Sequence, residues 1–142
     1  MKSLALKPVL ALLFVGMFTI SATTGVDSFE IYLNNKLLMK HTMTEPLTLK
    51  TLKLIDANAS DQLKIVYMQC TAPEKRGRNR KITLVDEQGK LVKEWKFPNA
   101  GTDNTMVIPV KELLAAQKNN EGKLTLSYTA DDLGRHQQLA AI

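Results

Sequence analysis

The sequence predicts an antiparallel β-sandwich of about eight strands with one short helix, immunoglobulin-like in the broad sense of that architecture. Three observations predict it. Apolar and polar residues alternate in short runs, turn formers separate the runs at intervals of about ten residues, and a single stretch switches to helical spacing. A partly open β-barrel is the alternative that the same pattern allows.

The elements follow in chain order. Phe29, Ile31 and Leu33 alternate with Glu30, Tyr32 and Asn34, the pattern of a strand with one buried face. Asn34 and Asn35 mark a turn, because asparagine tolerates a left-handed backbone. Residues 37–43 supply the partner strand, with Leu37, Met39, His41 and Met43 on one face. After Pro46, the leucines at 47, 49, 52 and 54 predict a third strand whose spacing slips near Thr51, as at a bulge. Residues 56–61 are a polar turn cluster. Residues 62–71 read as a fourth strand with both faces apolar, which predicts a central position covered on both sides.

Residues 80–97 carry the clearest pattern. Ile82 and Leu84 oppose Lys81 and Thr83, Gly89 breaks the chain, and Leu91, Trp95 and Phe97 share a face. The loop exceeds two residues, so a Gly-containing hairpin with a bulge is expected. Trp95 reads as a core anchor, with an exposed ligand-stacking role as the alternative. A short strand follows over 105–108. Pro109 then opens a helix of about two turns through Lys118, built from good helix formers. Residues 123–130 alternate again, Asp131, Asp132 and Gly134 turn the chain, and residues 137–142 make a last strand.

One domain is expected, spanning residues 23–142. Ahead of it, Lys2 and Lys7 flank the start of an uncharged apolar run over 9–20, followed by the small residues Ser21, Ala22, Thr23 and Thr24. That order is a secretory signal peptide over 1–22, and twelve apolar residues are short for a membrane span. The chain is therefore expected to be secreted or periplasmic, with no transmembrane segment after signal removal. Cys70 is the only cysteine, so no internal disulfide can form, and burial as a small hydrophobe is the expectation for it.

The basic pI of 9.4 is misleading. Without residues 1–22 the chain holds 17 basic and 14 acidic groups, and residues 74–81 alone hold five of the basic ones against one acid. The remainder is slightly acidic. This loop, with Lys75, Arg76, Arg78 and Arg80 around Gly77, is the candidate binding site. Guanidinium forks match phosphate or sulfate oxygens, so its partner would be an anionic glycan or lipopolysaccharide. No stacking aromatics adjoin it, which disfavours nucleic acid.

Met39, His41 and Met43 form a second candidate, since thioethers and an imidazole suit Cu(I). Leu37 on the same face makes a core row the simpler reading. Catalysis has no comparable signal. The two histidines, His41 and His136, stand in no H-E-x-x-H, no G-x-S-x-G accompanies them, and no paired carboxylates occur in a recognisable setting. No cofactor is implied. The segments FEIYLNNKLLMKH (29–41) and RNRKITLVDEQGKLVKEWKF (78–97), with the terminal LAAI (139–142), resemble small exported proteins of Bacteroidetes-type bacteria with no assigned activity. The resemblance implies an exported β domain and transfers no functional residue. The expected function is therefore non-enzymatic: binding or structural interaction with an envelope or extracellular component, with polyanion binding through 75–81 as the alternative.

Overall fold

Backbone pairing sorts eight strands into two four-stranded antiparallel sheets, as the computed structural model describes for residues 25–98 and 103–142. The signal peptide expected over 1–22 lies outside the described residues. The first sheet holds β1 (Ser28–Leu33), β2 (Lys36–Thr42), β3 (Gln62–Met68) and β6 (Thr105–Pro109), in the order β2-β1-β3-β6. The second holds β4 (Arg80–Val85), β5 (Leu91–Phe97), β7 (Thr125–Thr129) and β8 (Gln137–Ala141), in the order β5-β4-β7-β8. The sheets remain open, so the architecture is a sandwich.

The alternation read from the sequence sets the core. Phe29, Ile31, Leu63, Ile65, Tyr67, Met106 and Ile108 from the first sheet meet Ile82, Leu84, Leu126, Tyr128 and Leu139 from the second, all fully buried. Tyr67 stacks on Tyr128 across the interface with ring centroids 4.0 Å apart, and Phe29 continues the row 6.5 Å beyond Tyr67.

Both long hairpins contain a bulge that the alternation conceals. In the first, Ile31 pairs with Met39 but Tyr32 pairs with Leu37, so Leu38 is the extra residue. In the second, Leu84 pairs with Lys93 and Val85 with Leu91, which makes Val92 extra. Each bulge reverses the face of the residue before it. Leu37 and Leu91, expected inward, are about half exposed, while Leu38 and Val92 pack against the core. At the β4–β5 turn, Gly89 has φ +80° and the Asp86 carboxylate accepts from the Gln88 and Lys90 amides.

Two expected elements differ. Residues 47–54 form no strand; Thr51 makes a parallel bridge to Ala141, through Leu52 N to Ala141 O (2.8 Å) and Ala141 N to Lys50 O (2.9 Å). The slipped leucine spacing has a physical reason. The segment links β2 to β3 of the first sheet and is tied on the way to β8 of the second by those bonds, burying Leu52 and Leu54. The β3 strand ends at Met68, and its outer residues Lys64, Val66 and Met68 are half-buried, so it is central in its sheet but uncovered on that side.

Helix α1 (Val110–Asn119) lies beside the 47–54 segment, its Leu114 and Gln117 sharing a cleft with Leu52 and Leu54. Val110, Leu113 and Ala116 form its buried stripe. Glu112 on its other side accepts from Trp95 Nε1 at 2.6 Å and pairs with Lys93 at 3.4 Å. Trp95 is thus a half-buried strap between β5 and the helix, packed against the core with its polar edge satisfied.

Two predictions follow from this packing. Leu91→Ser should change stability by no more than about 0.5 kcal/mol, as exposed substitutions do. Val92→Ser should cost roughly 1–2 kcal/mol in urea unfolding; the reverse ranking would mean the β5 register is wrong. Burial pushes the Tyr128 phenol up to about 12, and burial with the Asp27 carboxylate raises Tyr67 further. A phenol raised in the folded state contributes stability that is intact below its unfolded value, about 10, and lost as pH climbs toward the folded one. Tyrosinate absorbance should therefore rise together with loss of near-ultraviolet dichroism above that pH. Ionisation of more than one of the three tyrosines near the free value in a still-folded protein would contradict the burial.

Candidate functional site

Beyond Met68 the chain folds tightly over one end of the sandwich. Gln69 N donates to Lys75 O (3.0 Å), Ala72 N to Gln69 O (3.1 Å) and Arg76 N to Pro73 O (3.2 Å), around a short 3-10 turn at Pro73–Lys75. Glu74, Lys75 and Asn79 all take positive φ, between 48° and 57°. The loop start is pinned as well: Asp27 accepts from the Cys70 amide and from the Tyr67 hydroxyl, each at 3.0 Å. Cys70 is half-buried, and its thiol donates to Val26 O at 2.9 Å.

Gly77 does not serve mobility, as a glycine among arginines suggests. It is buried, and a Cβ there would stand 2.5 Å from Ala130 Cβ, 2.6 Å from the Tyr128 hydroxyl and 2.7 Å from Gln69 Oε1. Glycine is required for close approach.

The four cations expected to act together are separated. Lys75 and Arg78 are exposed, whereas the Arg76 and Arg80 side chains turn inward. Arg76 pairs with Glu74 (3.2 Å) and donates to Asp103 O (3.4 Å). Arg80 is only 3% exposed and donates from Nη1 to Asn104 O at 3.1 Å, with Nε unpartnered. Burial lowers the guanidinium from its usual value, with neighbouring charges secondary, yet arginine stays protonated at neutral pH. Acids from elsewhere also surround the loop. Asp132 accepts from the Arg78 amide, Asp131 from the Asn79 amide group, and Asp103 sits below its usual carboxylate range, chiefly because it accepts from the Thr105 amide. The charge excess that stands isolated in the sequence is largely offset in space.

Beside Arg80 a cleft of about 500 Å³ opens, lined by Asn79, Arg80, Lys81, Lys96, Phe97, Pro98 and Asp131. Hairpin register builds it: Arg80 opposes Phe97 and Lys81 opposes Lys96. Lys96 and Phe97 were absent from the sequence-level site, although counting outward from Gly89 through the bulge would have found them. Glu94 lies 3.9 Å from Lys81 and 3.6 Å from Lys96.

Of the thioether–imidazole row, Met43 is partly buried against the core. Met39 is buried beside Ile31, and His41 tilts against Phe29 at 5.7 Å with Nε2 enclosed and unpartnered. Leu37 has left the row at the bulge. Among the described residues, no group of three or more His, Cys, Asp or Glu is placed to share a metal ion. His136 is exposed in the β7–β8 loop.

Compared with family models, with curated proteins and with solved structures, the chain matches none.

Gly77→Ala should destabilise by about 1–3 kcal/mol, the range for forced overpacking. Gly89→Ala, at an open position with positive φ, should cost about 1 kcal/mol through backbone strain alone. Urea denaturation of both variants measures the difference, and an equal loss would remove the close-packing role from Gly77.

Proposed function

We propose that this protein is a non-enzymatic, exported β-sandwich domain that works by binding or structural interaction at the cell envelope, through strand addition along β2. Export rests on the residue pattern at 1–22, and the resemblance to small exported bacterial proteins is consistent with it. The observation that carries the mode of binding is the unequal treatment of the sheet edges. β8 is bridged by residue 51, β6 runs directly into α1, and β5 is strapped to α1 through Trp95 and Glu112. β2, seven residues long, pairs with β1 on one side and with no strand on the other among the described residues. Its outer amides and carbonyls form a row that an extended partner can pair with, and the exposed Leu37 adds apolar contact.

The polyanion reading through Lys75, Arg76, Arg78 and Arg80 has weaker support, because only Lys75 and Arg78 of the four are exposed. Envelope extract passed over the immobilised protein separates the two. Under the proposal, a partner stays bound at moderate salt, Lys75→Glu with Arg78→Glu leaves it bound, and amides over 36–42 gain exchange protection. A partner released by salt and lost in the double variant would replace this reading with the polyanion module.

A further inference from the structure

The turns that lead from the 47–54 segment into β3 carry a motif that neither the core nor strand addition uses. Residues 56–60 read Asp-Ala-Asn-Ala-Ser. Alone among the asparagines of the chain, Asn58 is followed at the second position by Ser or Thr with no proline between, the acceptor signal for N-linked glycosylation. Bacterial acceptors add an acid two residues ahead of the asparagine, and Asp56 stands there. The fold presents the whole signal. Two consecutive turns, closed by Ala57 N to Leu54 O and Asp61 N to Asn58 O (each 3.0 Å), keep it outside both sheets, and Asp56, Asn58, Ala59 and Ser60 are exposed. The Asp61 carboxylate accepts from the Asn58 backbone amide at 2.8 Å and so holds the turn. The Asn58 side-chain amide and the Ser60 hydroxyl have no hydrogen-bond partner among the described residues, so the turn does not need them. Beside the signal, Ile55 is 88% exposed, the barest large apolar side chain among the described residues. It lines an open cleft of about 520 Å³ together with Ala57, Leu114 and Ile142.

We infer that Asn58 is a site of N-linked glycosylation, at which the exported chain receives a saccharide from a polyprenyl-diphosphate donor. In the transfer, Asn58 Nδ2 attacks the anomeric carbon of the sugar. The carbon–nitrogen bond forms as the carbon–oxygen bond to the diphosphate breaks, and the polyprenyl diphosphate leaves with the electron pair. The amide nitrogen gives up one proton to a base of the transferase. Because the fold holds neither proton of Nδ2, the side chain enters a second enzyme's site without breaking a contact. The Ser60 hydroxyl, equally free, supplies the second point by which the acceptor is gripped and oriented. A saccharide at Asn58 also accounts for Ile55: a bulky hydrated group three residues away shields an aliphatic side chain that the protein leaves bare. The inference rests on the export part of the proposed function and is independent of strand addition, since no residue of β2 belongs to these turns.

The test is peptide mapping by mass spectrometry of the full chain, produced in the cells it comes from and recovered from their cytoplasm, envelope and medium. Trypsin releases residues 54–64, bounded by Lys53 and Lys64. In the exported protein that peptide should carry the added mass of at least one N-acetylhexosamine, placed on Asn58 by fragmentation. Asn58→Gln and Ser60→Ala should each abolish the added mass, Ser60→Thr should retain it, and Asp56→Ala should lower the modified fraction several-fold. All these positions are exposed, so urea midpoints of the unmodified variants should coincide and a folding defect would be seen separately. Exported protein that lacks residues 1–22 and carries Asn58 bare, or a saccharide elsewhere in the peptide, would overturn the inference and leave export standing. Protein confined to the cytoplasm with residues 1–22 retained would overturn both.

Discussion

The stack of Tyr67 on Tyr128 is the contact on which the rest of this end of the molecule depends. It joins the second-last residue of β3 to the second-last of β7, one from each sheet, at 4.0 Å. That spacing brings the Tyr128 hydroxyl against Gly77 and the Tyr67 hydroxyl against Asp27. Asp27 then holds the Cys70 amide, where the chain leaves β3. The loop over 69–79 is accordingly drawn across the end of the sandwich, and a residue larger than glycine at 77 would collide with the stack. Aromatic pairing of this kind contributes about 0.5–1.5 kcal/mol beyond the area it buries. Its larger consequence is positional.

How much of this was legible in the sequence depended on the range of the interaction. The β4–β5 hairpin and α1 were readable because their signals are local: alternation, Gly89, and a buried stripe at Val110, Leu113 and Ala116. The faces of Leu37 and Leu91 were not, since a bulge adds one residue and a period-two pattern has no means of marking it when Leu38 or Val92 follows immediately. Residues 47–54 misled for the opposite reason. Leu52 and Leu54 are buried in the core while the backbone makes only one bridge, to Ala141, so burial occurred without a ladder. The basic loop failed at the longest range. Its cations are contiguous, but the loop is held by residues remote in sequence: Arg76 reaches the Asp103 carbonyl, Asp132 accepts from the Arg78 backbone amide and Asp131 from the Asn79 side chain.

Closure of the flanks explains why these departures are tolerated. A sandwich of two open sheets has four edge strands, each a row of unpaired backbone groups that invites association. Here α1 follows β6 and straps β5, while residues 47–54 bridge β8. The bulges in β2 and β5, and the lysines at 36, 40, 93 and 96, further discourage flat edge-to-edge pairing with other copies. Among the described residues, β2 and β5 each run seven residues with one side paired to no strand, guarded by charge and a local twist.

Arg80 is the residue at which these arguments converge. It stands where the alternation places an apolar side chain, inward and two positions before Ile82. If its purpose were only to hold Asn104, a neutral donor would serve at lower desolvation cost, since one of five N–H groups makes that contact. If its purpose were general surface charge, it would not be buried. Asp103 supplies the acid that favours its charged form, while no ion pair forms with it among the described residues. The sequence places it among exposed cations because neighbours in the chain share composition, whereas the strand pleat sends Arg80 inward and Lys81 outward. That single alternation separates a buried arginine from the exposed cations beside it in the chain.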